Sequence, residues 1–288
     1  MAIKRSEQID TENGGYYHLI SRCVRRAFLC GIDEKNGINY DYRRQWIEKR
    51  ILELADIFSI EVYAYAVMHN HYHLVIYLDP KLSESWSDLL ATYRERLGSV
   101  PWLMKRINEP LAKMANKEDF CKDHFLGSRF KSQALLDETA ALTCMAYVDL
   151  NPIRAGIAKS LPESEHTGIK KRLESLSPEK LEQTMTAIAG KVKNKTMVIK
   201  LRDYVELVEW TGKAIIYPNK ATFPPSLCAT LNHMNLKQAN WLGQVQGYGS
   251  HYHRFVGSIE QTRQKTTELK LKWLKGISQI QQLYNADT

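Results

Sequence analysis

Residues 60–79, IEVYAYAVMHNHYHLVIYLD, most narrow what this chain can fold into. Val, Ile and Tyr dominate the stretch, and such side chains suit a pleated, buried surface. Its only polar break falls near Met68–Asn70. The pattern predicts two strands joined by a tight turn, so the chain must build a sheet. Its length of 288 residues suits one large domain or two modest ones, and 44% hydrophobic residues supply a sizeable core.

The second strand carries His71 and His73. Residues i and i+2 of a strand share a face, so the two side chains point the same way, with ring nitrogens close enough to share one metal ion. Neutral imidazole ligates Zn, Mn, Fe, Co and Ni. The same spacing also suits core or surface histidines with ordinary hydrogen bonds. His69 has the same parity, but a turn at 68–70 would point it elsewhere. A second copy, His251-Tyr252-His253, follows GYGS. Its glycines read as a turn or loop with a structural or surface role.

Around the hairpin, the first 160 residues read strand, helix, strand, strand, helix, strand, helix: an α+β sheet layered with helices. YYHLISRCV (16–24) is a strand and 42–58 an amphipathic helix. Residues 83–116 hold one or two helices broken near Pro101 and Pro110. DHFLGSRFKSQALL (123–136) is another strand, and Asp137 caps a helix that runs to Asn151-Pro152. Residues 1–15 read as a loose tail and 166–196 as a charged linker. Residues 197–288 read as a mostly helical region anchored by Trp210, Trp241 and Trp273.

The formal net charge of +8 suits a polyanionic partner. The cysteines, at 23, 30, 121, 144 and 228, are odd in number and form no CxxC pair. That argues against a disulfide framework or a Cys-rich zinc site and for reduced thiols. With no apolar leader and no run of about 18 apolar residues, a cytoplasmic protein without membrane contact is expected.

Tyr147 and Asn151 are spaced i, i+4, which puts both on one face of the helix that follows Asp137. A phenol and an amide oxygen there could both face a metal held by His71 and His73. The phenol oxygen could then attack a phosphodiester and form a covalent phosphotyrosine. With 15 tyrosines in the chain, a partly buried helix tyrosine is the plain alternative. For Asn151 it is a helix C-terminal residue before a proline.

These stretches carry a family resemblance. VMHNHYHLVI resembles the HUH motif of HUH-type tyrosine transposases: two histidines flanking one residue, commonly a bulky hydrophobic one. CMAYVDLNPIRAGI resembles the tyrosine motif of their REP-associated branch. YYHLISRCVRRAFL looks like the first strand of that branch, and HFLGSRFKSQALL like the strand before its tyrosine helix. Order and spacing agree over 15–165, and the stretch from LRDYVELVEWTGKAI to KWLKGI looks like the tail of a longer subgroup.

The resemblance implies a ferredoxin-like antiparallel sheet with helices on one face. It implies His71 and His73 as ligands for Mg²⁺ or Mn²⁺, Tyr147 as nucleophile and Asn151 as a third ligand. The implied substrate is single-stranded DNA beside a hairpin, cleaved to leave a 5′-phosphotyrosine, by a nucleoid-associated monomer or homodimer. Two positions depart from the pattern. His69 stands where relatives carry Pro or Ser, and the spacer Tyr72 is large and should face the opposite side of the sheet. Single-stranded DNA calls for cations and flat rings. Arg22, Arg25, Arg26 with Phe28, then Arg129, Lys131 with Phe130, and Arg154 are the candidates. A non-catalytic nucleic-acid-binding module and a two-histidine hydrolase using water are the competing readings.

Overall fold

A computed structural model describes residues 8–24, 29–34, 37–80, 96–120, 124–127, 129–190, 196–217, 223–251, 254–271 and 276–283. Strand β1 (Gly15–Arg22) is followed by a small ladder, β2 (Ile32–Asp33) with β3 (Ile38–Asn39), and by helix α1 (Tyr42–Ala55). The predicted hairpin is β4 (Ile60–Val67) and β5 (His71–Leu78). Then come α2 (Val100–Glu118), β6 (Lys131–Leu135), α3 (Glu138–Asp149) and the short α4 (Asn151–Arg154). The sheet order is β4-β5-β1-β6-β7, where β7 is Phe255–Val256. All pairs are antiparallel except β6 with β7.

Every residue of β4 is buried, and nearly all of β5. Tyr72, Leu74 and Ile76 pack with α1 and α2 on one face. Val75 and Tyr63 join α3 on the other. Helices therefore cover both faces rather than one, because two-sided apolar strands need cover on both sides. A register shift between Val62 and Ala64 places Tyr63 and Ala64 in the same core cluster. Tyr72 does face away from the histidines, and its hydroxyl donates to Asn108 Oδ1 at 2.7 Å.

Helix α2 begins beside Pro101 but runs straight through Pro110. A proline removes the N–H that would bond the carbonyl four residues back. Here that carbonyl, of Arg106, accepts from Arg50 Nε at 3.4 Å.

The charged segment after residue 165 is packed structure. Thr167 caps α5 (Gly168–Glu174), its Oγ1 accepting from Lys170 N. Arg172 reaches through to donate to the Tyr63 carbonyl at 3.0 Å. Ile188 N donates to Val62 O at 2.7 Å, and Val62 N to Ala189 O at 2.8 Å. Residues 188–189 thus cover the free edge of β4, which an exposed sheet would leave open to other chains.

Helix α6 (Pro178–Glu182) leads to α7 (Leu201–Ile216), α8 (Pro225–His233), α9 (Gln238–His251), α10 (Ile259–Glu268) and α11 (Ile277–Leu283). Trp241 is fully buried and donates to Thr211 Oγ1, and Trp210 packs edge-on to Phe223. Trp273 lies outside the described residues. The glycines of GYGS, expected in a loop, sit inside α9. Tyr252 and His253 lie outside the described residues, as does the His251 side chain. No described helix is long and apolar enough to cross a membrane.

Asp137 caps α3 as its sequence predicts: Oδ1 accepts from Ala140 N at 2.6 Å. Its second oxygen accepts from Ser258 N at 2.7 Å, so the same carboxylate anchors the chain after β7. At the far end of α3, buried Asp149 accepts from Ile169 N at 3.1 Å and Tyr204 Oη at 2.6 Å. One carboxylate thereby ties α3 to α5 and α7. Burial pushes this carboxyl up to about 7, against the pull of the Tyr204 hydroxyl, the Arg172 charge and the Ile169 amide.

The folded protein therefore keeps a proton on Asp149 that the unfolded chain has already lost. Its contribution to stability should fall as pH rises from its ordinary value of 3.8 to about 7, then level off. Urea unfolding of wild type and Asp149→Asn across that range checks this: the difference between the two curves should slope through the window and be flat above it.

Candidate active site

β1 and β5 pair so that Ile20 faces His73 and Arg22 faces His71. Side chains two residues off this register still meet across the ladder. His18 Nε2 therefore lies 2.9 Å from His73 Nδ1. His73 Nε2 in turn lies 2.9 Å from His71 Nε2, and His71 Nδ1 lies 2.6 Å from Asn70 Oδ1. Three rings form one hydrogen-bonded row on the α3 face of the sheet.

Burial holds all three rings neutral. It pulls His71 down to about 4, helped by the charges of Arg22 and Lys131. It pulls His18 down to about 4 and His73 well below the usual imidazole range. Neutral imidazole keeps one lone pair for a cation. Two nitrogens bound at right angles to one cation at about 2.1 Å stand roughly 3.0 Å apart. The 2.9 Å between the two Nε2 atoms matches that spacing. His71 and His73 thus fit a shared divalent cation. Among the described residues, no group of three or more His, Cys, Asp and Glu side chains could hold one.

Tyr147, on α3, brings its ring to 5.6 Å from the His73 ring and 6.1 Å from that of His18. It is 8% exposed. The Arg154 guanidinium lies over the ring at 4.5 Å, and Tyr248 of α9 stacks on it at 5.0 Å. A Cβ built on Gly249 would stand 2.6 Å from the Tyr147 hydroxyl. This close approach is what a glycine in α9 permits, and no loop is needed to explain it.

Asn151 is buried in α4, just past the tyrosine helix. Its Oδ1 accepts from Arg154 Nη1 at 3.4 Å, while its Nδ2 has no hydrogen-bond partner. No hydrogen bond joins it to His71 or His73 among the described residues. Its amide therefore keeps one orphaned donor, Nδ2.

Arg22 and Lys131 are exposed, and both act electrostatically on His71, so they stand at the rim. Arg129, two residues before Lys131, is exposed as well. Arg154 is held by the Gln246 carbonyl at 2.7 Å. Arg25, Arg26 and Phe28 lie outside the described residues. His69 turns away from the row. It lines a separate cleft with Gly31, Asp41, Arg44 and His166, and its ring packs on Gly31.

Sequence reasoning missed His18, Gln133, Gln246, Tyr248 and Gly249. His18 carried one usable signal, an imidazole in an apolar strand with the parity of Tyr16 and Ile20. The others reach the site from distant elements, with no local pattern to mark them.

No family model matches the chain, and no curated protein matches it. It is similar to a solved structure described as the REP-associated tyrosine transposase bound to a REP hairpin. Identity is 15% and the TM-score 0.41, over 69% of this chain and 100% of that one.

Proposed function

We propose that this chain is a metal-dependent, single-strand-specific DNA endonuclease and strand transferase of the tyrosine-transposase type, cutting beside DNA hairpins. The observation that carries the reading is the convergence of His71 Nε2 and His73 Nε2, 2.9 Å apart, with the Tyr147 ring 5.6 Å from His73. The sequence resemblance over 15–165 supports the same assignment.

In this reading His71 and His73 hold Mg²⁺ or Mn²⁺, and Asn151 is the candidate third ligand. A divalent cation bound there would polarise the scissile phosphate and offset charge developing on it. Arg22 and Lys131 at the rim, and Arg129 two residues before Lys131, draw in the backbone of the strand, as unpaired phosphates require. Arg154 adds a fixed positive charge beside the Tyr147 ring. The Tyr147 oxygen attacks phosphorus, losing its proton as the new O–P bond forms. The bond to the 3′ oxygen breaks, and that oxygen leaves as a 3′-hydroxyl after taking up a proton. The 5′-phosphotyrosine keeps the bond energy, so a second 3′-hydroxyl can reverse the step on another end. The Tyr147 hydroxyl, however, lies close to Gly249 in a buried residue.

That closure favours a second reading, a nucleic-acid-binding protein that does not cut. A labelled single-stranded hairpin from beside its own gene, run on a denaturing gel, separates the two. With Mn²⁺, wild type should give a protein-linked band. EDTA should remove the band, and Tyr147→Phe should reduce it to background while native-gel binding persists. A native complex with no linked band from wild type, on this hairpin and on a random single-strand pool, would establish the binding-only reading. His71→Ala and His73→Ala should each weaken Mn²⁺ binding, read by electron paramagnetic resonance of free Mn²⁺. Unchanged binding in both would remove the metal assignment.

A further inference from the structure

The row of rings continues beyond the proposed ligands. His18 is buried, and it meets His73 through Nε2. Its remaining nitrogen, Nδ1, is left for the hydrogen bond it makes with Gln133, its register partner on β6. Gln133 Oε1 accepts from the Tyr248 hydroxyl at 3.0 Å, and Tyr248 is on α9. The chain of contacts thus runs from α9 through β6 and β1 to β5.

A neutral imidazole has one donor and one acceptor nitrogen. A cation on His73 Nε2 takes that lone pair, so the single ring proton must sit on Nδ1. The atom facing Nδ1 must then accept, and that atom is His18 Nε2. His18 consequently carries its own proton on Nδ1, facing Gln133. A carbonyl oxygen accepts two hydrogen bonds, so Gln133 Oε1 can take both His18 and Tyr248. On the other side, Asn70 Oδ1 is an acceptor and places the His71 proton on Nδ1, leaving its Nε2 free.

We propose that His18 is a positioning residue for the metal site, accepting the Nδ1 proton of His73 so that His73 presents its Nε2 lone pair, with Gln133 and Tyr248 setting the orientation of His18. This rests on the metal-binding part of the function proposed above. His18 is not itself a ligand, because its Nε2 is turned onto the far nitrogen of His73. Groups that accept from the outer nitrogen of a ligating histidine commonly contribute 10–100-fold to metal affinity, roughly.

Two variants and one spectrum test this. His18→Leu keeps bulk and removes the acceptor, leaving a buried N–H unpaired. His18→Gln can return an amide oxygen near the position of Nε2. Mn²⁺ titration followed by electron paramagnetic resonance should show His18→Leu weaker by about 10–100-fold and His18→Gln close to wild type. In the wild-type protein loaded with Zn²⁺ as a diamagnetic probe, histidine ring ¹⁵N shifts should report His73 protonated at Nδ1 and His18 Nε2 bare. Equal Mn²⁺ affinity in wild type and a folded His18→Leu would overturn the proposal while leaving the metal site standing. So would a His18 Nε2 that carries a proton or the metal. A wild-type protein that binds neither metal would overturn the metal reading and this proposal with it. Melting curves of both variants separate loss of fold from loss of affinity, and if His18→Leu fails to fold the ¹⁵N spectrum of wild type alone decides.

Discussion

Helix α3 is buried on every side: each residue from Ala140 to Asp149 is out of solvent. A helix that is apolar all round exists only where something covers its whole circumference. The sheet covers one side with Tyr63, Ala66 and Val75. Leu207, Val208, Trp241 and Val245 of α7 and α9 cover the other. The rest of the architecture follows from that demand. Asp137 and Asp149 stand at the two ends of α3: Asp137 caps the helix with one oxygen and holds Ser258 with the other, and Asp149 takes both of its donors from α5 and α7. The C-terminal region is therefore the second half of the core and cannot be detached from the tyrosine helix without exposing it.

The same demand explains what was legible in the sequence and what was not. The hairpin at 60–78 could be read because two-sided burial writes itself as an unbroken apolar run with one polar gap. The pairing of His71 with His73 followed from strand parity, and the cap at Asp137 from a short polar residue before a helical pattern. The segment after residue 165 misled because most of its charges are at its surface while its anchors are few. Thr167, Arg172 and the amides of residues 188–189 do the fastening, and none of them has a periodic signature. GYGS misled for a related reason. Glycines break helices on average, but in α9 close approach to Tyr147 outweighs helix propensity, a cost of about 1 kcal/mol per glycine. His18 and Tyr248 needed the register of β1 and the docking of α9, which are long-range facts.

The donor set around His71 and His73 is neutral. The rings are uncharged, and among the described residues no group of three or more His, Cys, Asp and Glu side chains able to hold a metal ion gathers around them. A carboxylate ligand would cancel part of a cation's charge and repel a phosphate. Neutral donors leave the full charge to act on an incoming anion. Arg22, Lys131 and Arg154 add to it rather than balance it, and their charges help keep the imidazoles unprotonated. The polar partner chosen for His73 follows the same logic. An aspartate behind it would hold the ring proton more firmly but would bring a negative charge into a buried row. His18 supplies an acceptor without charge, at the cost of needing its own proton placed correctly, and that placement reaches back through Gln133 to α9.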